Sequence, residues 1–225
     1  MIAAAACAIG ATYVGLPGLH YVAKPAATVA CLLIALQATT PRSVRYQRGV
    51  AAALVLGTFG DVLLMLPDAS LFPLGLGAFL VGHLAYLWAM TDGVRLFERP
   101  APAIYFGFVS ALLLSILLRS IEPSLRGPVI GYVVVLASMA AQARVRALVR
   151  PDRGAQLAAT GGTLFVLSDA LLAIERFVTP FPLAQLLILV SYWGAQWSLA
   201  SSVASSPTNG TDGTNGVEAA APPAL

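Results

Sequence analysis

Long apolar runs, interrupted only by short stretches that collect the prolines and arginines, constrain this chain more than any other feature. Eight runs can be traced, at roughly 2–19, 25–40, 49–66, 72–90, 103–118, 127–148, 155–175 and 183–203. A helix needs about 20 apolar residues to cross the ~30 Å hydrocarbon core of a bilayer, and most of these runs supply close to that. Only 10% of residues are charged, against roughly 25% in a soluble domain, so a water-facing surface cannot be covered. Lipid strips water from the backbone and leaves the helix as the economical way to satisfy its N–H and C=O groups. The expected fold is therefore an all-α membrane protein with eight transmembrane helices in one domain over 1–203. A polar tail over 204–225, rich in Ser, Thr, Asn, Gly and Pro, is expected to be disordered.

Pro41, Pro67, Pro100, Pro123, Pro151 and Pro180 fall between runs, where they break no helix. The opening stretch lacks a basic flank and is followed at once by a second run, so it reads as a weak first span rather than a leader. Cys7 and Cys31 lie inside runs without metal-ligand spacing and read as inert buried thiols. The formal charge of +3 does not imply nucleic acid, because the basic residues form no extended patch. Loops after the second, fourth and sixth runs hold Arg42, Arg45, Arg48, Arg95, Arg99, Arg144, Arg146, Arg150 and Arg153. The opposite loops hold only Lys24, Arg119, Arg126 and Arg176. Positive charge gathers on the cytoplasmic side, which places both termini of a cell-membrane protein inside and gives the arginines a topological role.

Ionisable groups are costly within a bilayer, by roughly 2.5–3.5 kcal/mol for a central charge on insertion scales, and those present usually mark a site. Asp61, His83 and Asp169 lie deep in their runs and are the candidate catalytic groups; the plainer alternative is that they only tie helices together. At helical spacing Tyr86 shares a face with His83, and Tyr192 with Gln196. With Ser168 these are candidate substrate-binding residues. Gly57, Gly60, Gly82, Gly161 and Gly162 adjoin the polar positions and permit close helix approach. Lys24, with Pro25, opens the second run and either snorkels to the interface or holds a phosphate. The third and fourth runs also resemble the seventh and eighth: Phe72 to His83 and Phe181 to Tyr192 are each eleven residues apart. A parallel repeat would set Asp61 and Asp169 at one depth across a central cavity.

These residues carry a family resemblance. Gly60-Asp61-Val62-Leu63-Leu64-Met65 and Gly82-His83-Leu84-Ala85-Tyr86, within 59–90, resemble the YhhN family of multi-span proteins. So do Leu164-Phe165-Val166-Leu167-Ser168-Asp169, Lys24-Pro25 and the element from Tyr192 to Gln196. The likeness covers about Tyr21 to Ser201 and departs at Trp193-Gly194, where a second tyrosine is expected. The family includes lysoplasmalogenases, which split the vinyl ether bond of a lysophospholipid into a fatty aldehyde and a glycerophospho-headgroup, and the resemblance implies that activity or one near it. Such hydrolysis needs a proton on the alkene carbon and water at the resulting oxocarbenium ion, as in glycoside hydrolysis by paired carboxyls. Asp61 and Asp169 suit those roles without fixing which is the acid, and His83 suits orienting water or sharing the proton. The chemistry asks for no cofactor or metal, and one histidine with two aspartates at long spacing is a weak metal signal. The competing classes are a proton-coupled or small-molecule transporter and a non-catalytic lipid-binding protein.

Overall fold

A computed structural model describes residues 1–204. The polar tail expected to be disordered lies outside them, apart from its first residue. The described chain is eight α-helices: α1 (Ile2–Val14), α2 (Pro17–Leu36), α3 (Val44–Met65), α4 (Phe72–Met90), α5 (Pro100–Ser120), α6 (Pro123–Val149), α7 (Arg153–Phe177) and α8 (Ala184–Ser201). Among the described residues extended pairing is limited to one isolated bridge, between Pro41 and Ala204. The protein is a multi-pass membrane protein, and six helices, α2 to α7, are long and apolar enough to cross.

The helix ends follow from local chemistry. Pro17, Pro100 and Pro123 open α2, α5 and α6, where a missing N–H costs nothing. The side chains of Ser43 and Asp152 cap α3 and α7 by accepting from the N–H groups of Tyr46 and Ala155. Gly15, with φ 73°, ends α1 in the left-handed conformation that glycine adopts without strain.

That last pair of signals corrects the sequence reading. The second helix begins at Pro17, not near residue 25, so Pro25 is internal and Lys24 sits seven residues into the helix rather than at its end. The first helix is correspondingly short, 13 residues or about 20 Å. In α8 the buried Ser191, Tyr192, Gln196 and Ser198 lower the apolar content while facing the bundle.

Small residues set the helix spacing. A β-carbon added to Gly161 would lie 2.7 Å from Leu199 Cγ and 3.0 Å from the Ala195 carbonyl, so α7 and α8 touch backbone to backbone. Gly49 stands in the same relation to Ala89 and the Ala85 carbonyl, closing α3 on α4.

One end of the bundle is locked by the arginines that the sequence reading treated as topological only. Arg42 forms a two-pronged ion pair with Asp152 and also donates to the Ser202 carbonyl at 2.9 Å. Arg146 is 1% exposed; it lies 4.7 Å from the centre of the Tyr46 ring and donates to the Asp92 carbonyl. Tyr46 in turn meets Ser202 at 2.8 Å. Burial raises the Asp152 carboxyl, but the hydrogen bonds from Arg42 and the Ala155 N–H outweigh it and hold the group below the usual carboxylate range.

Candidate active site

At the other end the helices separate around a cavity of about 520 Å³, within the range of small-molecule pockets. It is walled by residues such as Thr12, His20, Phe72, Arg176 and Gln185 near that end, and Asp61, Asp169, Tyr132 and Tyr192 line it farther in. The remaining wall is largely aliphatic, including Leu113 and Leu117 of α5 and Val129, Val133 and Leu136 of α6.

Asp61 projects from α3 and is 1% exposed. Lys24 Nζ lies 3.1 Å from its Oδ1. Thr28, one turn beyond Lys24 on α2, donates to Oδ2 at 3.0 Å, and Tyr192 donates to the same oxygen at 2.7 Å. Behind Tyr192, Gln196 donates to its hydroxyl at 3.0 Å, and Tyr86 donates to Gln196 Oε1 at 2.7 Å. Every donor in this chain points toward the Asp61 carboxyl, which is the acceptor at its end.

Asp169, from α7, is more open, its side chain 16% exposed. The Tyr132 hydroxyl of α6 donates to its Oδ2. His83 Nε2, from α4, lies 3.0 Å from the same hydroxyl and 3.7 Å from Asp169 Oδ2. His83 Nδ1 is buried without a partner, and the ring stands edge-on to Phe165 with centroids 4.7 Å apart. The partners place the imidazole proton on Nε2, where Tyr132 can accept it. The result is a line from His83 through Tyr132 to Asp169, aimed the same way as the first.

The two candidate carboxyls thus share one cavity with different company. Several sequence expectations need adjustment. Lys24 neither snorkels nor stands free for a phosphate, because it is internal and paired to Asp61. Tyr86 and Gln196 do not line the cavity; they lie beneath it and orient Tyr192. Ser168 lines it but donates to the Ile188 carbonyl at 3.1 Å, joining α7 to α8. Tyr132 and Thr28 were missed: a tyrosine in an apolar run passes for an interfacial residue, and a threonine carries no charge to draw notice. Their helical registers, which turn Tyr132 of α6 to Asp169 and Thr28 of α2 to Asp61, are visible only once the helices are packed. Among the described residues no three of His, Cys, Asp and Glu gather into a group able to hold a metal ion.

The sequence model of the YhhN family matches residues 19–203. The chain belongs to the YhhN family. Human lysoplasmalogenase TMEM86B is 34% identical over 172 residues, covering 74% of this chain and 68% of that protein. The rat protein of the same name is 31% identical over 184 residues, covering 80% and 71%. A lysoplasmalogenase of Mycobacterium tuberculosis is 31% identical over 190 residues, covering 81% and 68%. No solved structure matches the chain. The YhhN match takes in every residue of both hydrogen-bonded lines and leaves out α1.

Proposed function

We propose that this YhhN protein is a lysoplasmalogenase that hydrolyses the vinyl ether of a lysophospholipid within the membrane. The observation that carries the reading is the pair of aspartates on one largely apolar cavity, one surrounded by donors and the other linked to a histidine through a tyrosine. The relatives named as lysoplasmalogenases support the same reading.

Asp169 is the acid. Its carboxyl proton goes to the alkene carbon remote from the ether oxygen, and the new C–H bond leaves an oxocarbenium ion. Asp61, held ionised by Lys24, Thr28 and Tyr192, stabilises that cation and draws water toward the adjacent carbon. Attack by water gives a hemiacetal, and the proton that the water sheds passes to Asp61. Its C–O bond to glycerol breaks as the glycerol oxygen takes that proton from Asp61 and the hemiacetal hydroxyl gives its own to the Asp169 carboxylate. This releases aldehyde and the free headgroup alcohol and restores both carboxyls. Tyr132, braced by His83, holds the Asp169 carboxyl in place through the cycle. Lys24, Thr28, Tyr86 and Gln196 position Asp61 and Tyr192, and Ser168 fixes the wall near Asp169.

A saturated ether of the same chain and headgroup has no alkene carbon to protonate. Purified protein should therefore release aldehyde from the vinyl ether lipid and nothing from the saturated analogue. Equal consumption of both, or flux across sealed vesicles with no product, would favour a transporter.

The same reading extends to topology. All eight helices cross, with α1 folded back on α2 through the tight Gly15–Leu16 link and α8 turning its polar side chains inward. The close α3–α4 and α7–α8 pairs act as parallel repeats that each deliver one aspartate. The arginine-locked end, with both termini, faces the cytoplasm, so the cavity opens on the other side of the cell membrane. In a Cys7→Ala, Cys31→Ala background, a membrane-impermeant maleimide should label Thr179→Cys in intact cells and spare Glu98→Cys. The reverse pattern would invert the assignment.

A further inference from the structure

The hydrolytic residues occupy only the inner part of the cavity. Nearer its end, Glu175 and Arg176 adjoin on the last turns of α7, and both line the wall. The guanidinium carbon of Arg176 sits 4.2 Å from the centre of the Phe72 ring, and Phe72 meets Phe177 edge to face at 6.1 Å. An aromatic face steadies a guanidinium without using its N–H groups. Among the described residues Arg176 has no hydrogen-bond or ion-pair partner, and Glu175 forms no ion pair with it. In a chain with so few charges, two opposite and unpaired ones on a cavity wall call for a ligand that carries both signs.

The spacing fits such a ligand. Arg176 is seven residues beyond Asp169 on one helix, about 10 Å of rise. The long arginine side chain covers part of that gap. In a lysoplasmalogen only the glycerol carbons and one oxygen separate the ether oxygen from phosphorus. With the vinyl ether at Asp169, the phosphate falls near the guanidinium, which suits phosphate oxygens in pairs.

Resting on the vinyl ether hydrolase reading, we propose that Arg176, steadied on Phe72, binds the headgroup phosphate and that Glu175 binds the headgroup ammonium. The mouth of the cavity thereby selects zwitterionic, single-chain phospholipids over neutral alkenyl lipids.

The test compares three lipids of one chain length with the purified full chain: 1-alkenyl-glycerophosphoethanolamine, 1-alkenyl-glycerophosphate and 1-alkenylglycerol. Arg176→Gln should lose roughly tenfold to hundredfold in kcat/KM on the two phosphate-bearing lipids. That loss should fall mainly in KM, with alkenylglycerol cleavage unchanged. Glu175→Gln should remove only the preference for the ethanolamine headgroup over bare phosphate. An equal loss on all three lipids, or none, would overturn the assignment. Wild-type cleavage with no headgroup preference would overturn it while leaving the hydrolase reading intact. If the wild type cleaves none of the three, the hydrolase reading itself fails.

Discussion

Asp169→Asn is expected to lower aldehyde release by roughly 10²–10⁴-fold, the usual contribution of a positioned general acid, while the protein remains folded. Asparagine keeps the size of the side chain and an oxygen that can accept from Tyr132, so the α6–α7 contact survives. What is lost is the proton that the alkene carbon must receive. The measurement is the initial rate of aldehyde formation by purified variant and wild type, alongside thermal unfolding in the same detergent. A rate within about threefold of wild type would remove Asp169 from the chemistry and leave it as a helix tie.

The second large effect concerns Lys24. Its side chain is 15% exposed and that of Asp61 2%, so Lys24→Met would leave a nearly buried carboxylate without its counter-charge. Removing one partner of a buried ion pair typically costs about 3–5 kcal/mol. A loss of that order is expected in detergent unfolding, with turnover falling as well. Adding Asp61→Asn should recover most of the stability, because amide and thioether need no counter-charge, yet turnover should not recover with it. A single variant as stable as wild type would show that Lys24 and Asp61 are not coupled.

Much of this was legible in the sequence, and the exceptions share a cause. The limits of α4, α7 and α8 were readable to within two residues because apolar composition changes abruptly at their ends, whereas α3 starts at Val44, five residues before its apolar run, because Arg45 and Arg48 lie in its first turns. The α1–α2 boundary was not, since Leu16, Leu19 and Val22 continue the apolar run across a break that only Gly15 and Pro17 mark. Asp61, His83 and Asp169 stood out because charge in a bilayer is conspicuous on its own. Tyr132 and Thr28 carry no such cost, and their importance comes from what faces them across a helix gap. Lys24 was misread for the related reason that its partner lies 37 residues away on another helix. Arg146 looked like a loop charge because its run could be followed but its burial against Tyr46 could not.

The arginine lock has a further consequence. Cohesion is concentrated at one pole of the protein and turnover at the other, so the two are separable in principle along the bilayer normal. Damage to Arg42, Asp152 or Arg146 would reduce how much protein accumulates without changing which lipids it accepts. Sequence drift around the opposite pole could retune substrate choice while the scaffold holds its shape.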